Sequence, residues 1–450
     1  MKRKTFFVCA FLFIFSSYLS AQDIALTVYN QNRALVREIR KLSINPGIST
    51  IIFTGVAAQI DPTSVHFQSL TSLDKLIILE QNYEYDLVSS SKILEKYIDE
   101  SIRIVINEGE VFNGKLLSAS GSDIVIQNEE GGIRVIRSDG IQHFDFPKLP
   151  EGLLTRPTLI WMVENQGPNE QNGEISYLTN GINWHAEYVA VTDAEDKNIN
   201  LSGWVSIDNR SGADYQNAKL KLVAGDVNVV QGAFRGGDMM MEAASVAKAA
   251  PQFEESGLFE YHLYTLQRRT TIQNNQIKQV SLFPPAKTKT QKIYIYDGAM
   301  YDQKVRVHLE FKNSQGDGLG LPLPKGKIRV YKEDQDGALE FIGEDQIDHT
   351  PIDEKVRIFL GNAFDLVGER TVKSSRSISA RSREEEIEIV LKNHKGEDVD
   401  IVVEEHFYGD WTINKSSNPF LKKDAYTAEF MIAVPSQGEK TLDYTVMTRW

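Results

Sequence analysis

The sequence predicts a mainly β chain: antiparallel, Ig-like β-sandwich modules with a small five-stranded barrel as an insert. Three observations predict it. The first is a pattern that occurs three times, an alternating strand running into Asn-x-x-Gly and an acidic residue. Ile199, Leu201, Val205 and Ile207 lead to Asn209, Gly212 and Asp214. Val305, Val307, Leu309 and Phe311 lead to Asn313, Gly316 and Asp317. Ile387, Ile389 and Leu391 lead to Asn393, Gly396, Glu397 and Asp398. Apolar residues at every second position bury one face of a strand and wet the other. Asn and Gly are expected to make the reversal, since both tolerate left-handed backbone. The second observation is a run of short strands with Gly-containing connections over residues 102–147. The third is the alternation of the last strand, with Leu442, Tyr444, Val446, Thr448 and Trp450 on one face.

Residues 1–21 read as a secretory signal. Lys2, Arg3 and Lys4 form a basic start, Phe6 to Phe15 an apolar run, and Ser16 to Ala21 a polar, small-residue stretch. Cleavage after Ala21 makes Gln22 the first mature residue. The apolar run falls well short of the roughly twenty residues that a bilayer requires, and no later run approaches that length. The only cysteine, Cys9, lies inside the run, not at its end, where a lipid-modified cysteine would sit. The mature chain is then free of cysteine, which excludes disulfides, a thiol nucleophile and a zinc–thiolate site. Loss of the three leader cations leaves 46 basic against 62 acidic residues, so the formal charge moves from −13 to −16. Nucleic-acid binding rests on neutralising phosphates with Lys and Arg, and this balance argues against it. The expected location is outside the cytoplasm, in the periplasm or at the cell surface.

Residues 22–100 read as an N-terminal β domain, with strands at Ile24–Tyr29, Ala34–Ile39 and Ser49–Phe53. A short helix is expected around Ser91–Ile98, where Ile93, Leu94, Tyr97 and Ile98 share a face. Residues 101–148 read as a small SH3- or Sm-like barrel with strands at Ile102–Ile106, Val111–Leu117, Ile124–Gln127, Ile133–Arg137 and Ile141–Phe146. Pro147 and Pro150 mark its end. Residues 149–450 read as a large β domain with modules at roughly 149–310 and 311–450. Residues 231–257, rich in Gly and Ala with Met239, Met240 and Met241 in succession, interrupt it and are expected to form a mobile loop.

The N-terminal residues Val28-Tyr29-Asn30, Arg33-Ala34-Leu35-Val36-Arg37, Gly47, Gly55-Val56 and Asp61-Pro62-Thr63-Ser64-Val65 resemble the first domain of bacterial mucoidy-inhibitor-type proteins. Residues from about 150 onward resemble the large β domain of that family. There the match is Trp184-His185-Ala186-Glu187-Tyr188, Asn209, Ser211-Gly212, Leu220-Lys221-Leu222, Ala224-Gly225-Asp226, Phe259-Glu260-Tyr261, Tyr444 and Trp450. In that family a long coiled coil joins the two β parts, whereas here the small barrel holds that place, so coiled-coil assembly is not carried over. The resemblance implies an envelope protein and names no catalytic residue.

Few residues invite chemistry. His185 and Glu187 share one side of a strand, and two such side chains could hold a metal or an acid–base pair, although a metal needs three or four ligands. A solvent-facing pair, with Trp184 and Tyr188 in the core, is the simpler expectation. Met239–Met241 is a candidate contact surface. Glu404-Glu405-His406 places its members on alternate faces, and His262 has Glu260 and Tyr264 for neighbours. Asp334-Gln335-Asp336-Gly337 begins like a calcium loop, but Lys332 and Gly343 stand where ligands belong, so a hairpin turn is expected. No His-Glu-x-x-His, Gly-x-Ser-x-Gly or phosphate-cradling loop occurs, and no cofactor is implied. The expectation is an exported, non-enzymatic envelope protein, a structural or interaction module for an envelope protein or glycan. The alternatives are an envelope glycan or peptide hydrolase and, from the terminal Trp450, an outer-membrane β-barrel.

Overall fold

β-Branched and aromatic residues at alternating positions make this chain almost entirely strand. The computed structural model of the protein describes residues 23–85, 90–107, 109–146, 154–225, 253–258, 261–334 and 336–450. The N-terminal stretch forms β1 (Asp23–Tyr29), β2 (Arg33–Ser43), β3 (Gly47–Thr54), β4 (His66–Ser69) and β5 (Leu76–Glu84), then helix α1 (Ser90–Lys96). Five short strands follow: β6 (Ser101–Ile106), β7 (Val111–Ser120), β8 (Asp123–Gln127), β9 (Ile133–Arg137) and β10 (Ile141–Asp145). Next come β11 (Thr158–Asn165), β12 (Glu170–Asn180), β13 (Ile182–Thr192), β14 (Asn198–Asn209) and β15 (Tyr215–Ala224). After these lie β16 (Phe253–Leu258), β17 (Tyr261–Leu266), β18 (Thr270–Ile272), β19 (Gln276–Tyr296), the helical turn α2 (Gly298–Tyr301) and β20 (Lys304–Lys312). The chain continues through β21 (Gly326–Glu333), β22 (Leu339–Ile347), β23 (Lys355–Ser379), β24 (Ser382–Asn393) and β25 (Val399–His406). It closes with β26 (Asp410–Ser416), β27 (Leu421–Lys422), β28 (Thr427–Val434) and β29 (Gly438–Arg449).

The expected leader, Met239–Met241 and most of the expected 231–257 loop lie outside the described residues; the last part of that loop lies on strand β16. Trp450 falls beyond β29 and is exposed, not part of its buried face.

Among the described residues no sheet closes into a barrel. The small unit has its five predicted strands in the order β10-β6-β7-β8-β9, with no ladder between β9 and β10, so the expected barrel is an open sheet. Its core of Ile102, Ile104, Leu116, Ile124 and Ile126 is covered instead by Leu94 and Tyr97 at the end of α1. The Tyr97 ring lies 4.3 Å from that of Phe146. These side chains seal what closure would otherwise have to seal.

The stretches 22–100 and 149–450 interleave in two sheets. One runs β16-β17-β15-β1-β2-β12-β4, with β1 parallel to β15, and the other runs β3-β11-β5. Both close over strands β13, β14 and β19 of the largest sheet, and one core joins residues from Ile24 to Ile358. Trp184 on β13 reaches across that core, donating from Nε1 to the Val223 carbonyl of β15 at 3.1 Å. A second core, from Tyr294 to Val446, lies between strands β20, β23, β24 and β29 and strands β25 and β28. This is a sandwich architecture, and the small unit is carried on it.

Strand β19 serves both cores. Its first part pairs with β14 and its last part with β20 and β25. Within the β14 ladder Pro284 and Pro285 sit at a register shift where Leu201 and Gly203 face Ala286 and Phe283. Proline has no ladder donor and is tolerated where the pairing is already interrupted. Opposite, a Cβ on Gly203 would come within 2.4 Å of the Phe283 ring, so only glycine admits that ring. In the second core Glu405, 1% exposed, takes a two-pronged bond from Arg370 at 2.9 and 3.0 Å and another from the Tyr444 hydroxyl at 2.5 Å.

The repeated asparagines do more than turn the chain. Of the three motif glycines, only Gly212 has a left-handed φ, +85°, and none of the asparagines does. Instead the side chains of Asn209, Asn313 and Asn393 are buried. Asn209 donates to the carbonyls of Ala213 and of distant Gln273, at 2.9 and 3.0 Å. Asn393 does the same to Glu397 and Pro435, at 2.9 and 3.1 Å, and Asn313 to Leu321 and Pro351, at 2.7 and 2.9 Å. In two of the motifs the acidic residue completes a clasp on the same distant loop: Asp214 accepts from the Asn274 amide and Asp398 from the Ser436 amide. Asp317 instead stays within its own turn, bonded to Ser314. Asn165 repeats the arrangement without the acidic partner, donating to Ile44 and Pro168.

Asn393→Ala strands two or three loop carbonyls, and urea denaturation should show a loss of about 3 kcal/mol. Exposed, left-handed Asn275 changed to Gly should leave stability nearly unaltered. Buried His308 has its pKa lowered from 6.5 to about 4 by burial and by the charges of Arg306 and Arg357. Folding therefore favours the neutral ring. Its stabilisation is complete above pH 6.5 and is lost as the pH falls toward 4. In denaturation across that window His308→Gln should lose less stability than the parent.

Candidate functional face

The outer face of the large sheet around β13 holds the charged pair that the sequence singles out. Alternation along Trp184-His185-Ala186-Glu187-Tyr188 turns Trp184, Ala186 and Tyr188 into the core and leaves His185 and Glu187 outside. Their mutual approach is 3.7 Å, Nε2 to Oε1. The ladders then bring in residues remote in sequence. In β14 and β19, Ser206 lies opposite His185 and Gln279 opposite Ser206. In β21 and β22, Arg329 lies opposite Glu344, beside β13.

Glu187 is the centre of this network. Its Oε2 accepts from the Ser206 hydroxyl at 2.9 Å and from Gln279 Nε2 at 2.7 Å, while its Oε1 lies 3.7 Å from Arg329. Partial burial works against the charge, but the Ser206 bond, the charges of His185 and Arg329 and the Gln279 bond outweigh it. They hold the carboxyl below its usual range. A carboxylate so occupied stays ionised and makes a poor general acid or nucleophile; its chemistry is orientation and charge. Among the described residues no three of His, Cys, Asp and Glu converge as a metal would require.

Trp204 stands directly across from Glu187 and is 40% exposed on the same face. It lies out of phase with the buried residues of its strand, an apolar residue at a polar position, and that was the one sequence signal for it. Ser206, Gln279 and Arg329 had no such signal, because only strand pairing assembles them. At the end of the face the starts of β13 and β21 and the β1–β2 turn frame an open cleft of about 420 Å³, lined among others by Asn30, Asn183, His185, Lys325, Lys327 and His349.

The remaining sequence candidates separate. Glu405 points into the second core while Glu404 and His406 face outward, as alternation requires. His262 meets Glu255 at 2.7 Å, and Glu260 lies outside the described residues. The Asp334 carboxylate accepts from the Asp336 and Ala338 amides, which makes a hairpin turn of that segment. Met239, Met240 and Met241 lie outside the described residues. No family model matches the chain, and no curated protein is significantly similar to it.

Glu187→Leu deprives the buried Ser206 hydroxyl of its acceptor and should cost about 1–2 kcal/mol in urea denaturation at pH 7. Because the folded carboxyl titrates below 4.5, the advantage of the parent over Glu187→Gln should be full above that pH and fade as the pH falls below it.

Proposed function

We propose that this is an exported, non-enzymatic envelope protein whose sheet face presents a recognition surface to an envelope protein or glycan. The observation that carries the reading is Glu187, the most chemically suggestive residue of the face, with both oxygens committed to protein partners. Around it a flat row of side chains crosses five strands, from Gln346 and Lys327 through Glu187 and Trp204 to Ser281. At about 4.8 Å per strand such a row extends roughly 20 Å, a length suited to an extended partner. An exposed tryptophan flanked by hydrogen-bonding groups is a usual anchor for recognition.

The leader pattern supports export, to the periplasm or the cell surface, and the resemblance to mucoidy-inhibitor-type proteins supports an envelope role. The test is to pass the purified protein over separated envelope protein and glycan fractions. Specific retention by one fraction is expected. Trp204→Ala should weaken it tenfold or more, corresponding to the roughly 2 kcal/mol of an anchor residue. Turnover of an envelope polymer, abolished by changing one residue of the face, would replace this reading with a hydrolase.

A further inference from the structure

We infer that the cleft beside His185 binds an anionic sugar residue. This inference rests on the recognition reading above and names the ligand. The cleft lies where parallel strands β13 and β21 begin, beneath the β1–β2 turn. Its volume, about 420 Å³, falls within the roughly 300–1,000 Å³ of small-ligand sites.

Its charge is the first argument. The chain carries 62 acidic residues against 49 basic, yet no carboxylate lines the cleft, while Lys325 and Lys327 do. Each lysine also faces an acid beyond the lining, Lys325 to Asp348 at 3.8 Å and Lys327 to Glu344 at 3.3 Å. These pairs are solvent-exposed and weak, so an anionic ligand displaces them at little cost. Grouped cations at a concave surface focus the field toward an anion.

Its hydrogen-bonding chemistry is the second argument. Carboxamides both donate and accept, as sugar hydroxyls do, whereas a simple oxyanion only accepts. Asn183 Oδ1 takes the Asn32 amide at 3.5 Å, which leaves its amide hydrogens for a ligand. Gln31 and Gln346 add two further carboxamides to the lining. Cations for a carboxylate and carboxamides for hydroxyls together describe a sugar acid.

The test is calorimetric titration of the purified protein with a galacturonic acid oligomer, the matching neutral galactose oligomer and inorganic phosphate. The uronate oligomer should bind at least tenfold more tightly than either of the others. Lys325→Gln combined with Lys327→Gln should abolish that preference, while exposed Lys41→Gln leaves it, and both variants keep the parental melting temperature. Equal binding of the neutral oligomer, or equal binding of phosphate, overturns the inference. So does uronate binding that the double variant leaves intact. If no oligomer binds but an envelope fraction still retains the protein in a Trp204-dependent way, the sugar assignment fails and the recognition reading stands. If the fractions fail as well, both fall.

Discussion

The ends of a β-sandwich pose a polar problem: strands stop, chains cross the mouth of the core, and the carbonyls of those crossings are cut off from water. Buried asparagine amides meet it here. A carboxamide has two N–H donors, and at each motif one goes to the local loop and another to a loop remote in sequence. Leaving such carbonyls bare costs about 1–3 kcal/mol apiece, a large part of the net stability of any domain. Aspartate, with no donors, or leucine, with no polar atoms, cannot take the place. The constraint is thus specific to one residue type, and it ties the ends of β14, β20 and β24 to loops that local turn chemistry would leave free.

The recognition face inherits its alignment from this arrangement. Strand β14 carries Asn209 at its end, Val205 and Ile207 toward the core, and Trp204 and Ser206 on the outside. A slip of one residue would exchange the two faces and carry Trp204 into the core. The clasp at Asn209 and Asp214 reaches the loop just before β19, so it also sets where Gln279 meets Ser206 and Glu187. β19 stays paired with β14 as far as Lys289 and from Thr290 onward pairs with β20, which carries it into the second core. Face and framework are the two sides of the same strands.

Local alternation made much of this visible from the residues alone. The strands of residues 101–146 fall within a few positions of their predicted bounds, and the helix before them buries Leu94; it ends at Lys96, with Tyr97 buried just past it and Ile98, expected on the same face, exposed. Partnership was not visible. Nothing in Ala25–Tyr29 announces a parallel ladder with Lys219–Val223, because a strand's free donors accept any neighbour and the choice is made by the whole core. The asparagine motif was legible as a pattern and misread as a backbone device, since sequence shows where Asn stands but not what its amide meets. His185 and Glu187 share a face by their spacing alone; the groups that decide their chemistry come from other strands.

How polar groups are satisfied separates framework from recognition surface. Asp196 lies between Lys292 and Lys332 at 2.6 Å each, and Glu405 is enclosed by Arg370 and Tyr444. These groups are buried and paired within the chain, so removing one partner exposes an uncompensated charge and is felt as instability. Glu187 occupies the middle ground: it is paired, yet at the surface, and it orients His185 and Arg329 without shielding them. The cleft beyond it is the other extreme. There Lys325 and Lys327 have only exposed partners. The fold satisfies the buried amides of Asn209, Asn313 and Asn393 within the chain, and at the cleft it leaves weakly held positive charge where a ligand can reach it.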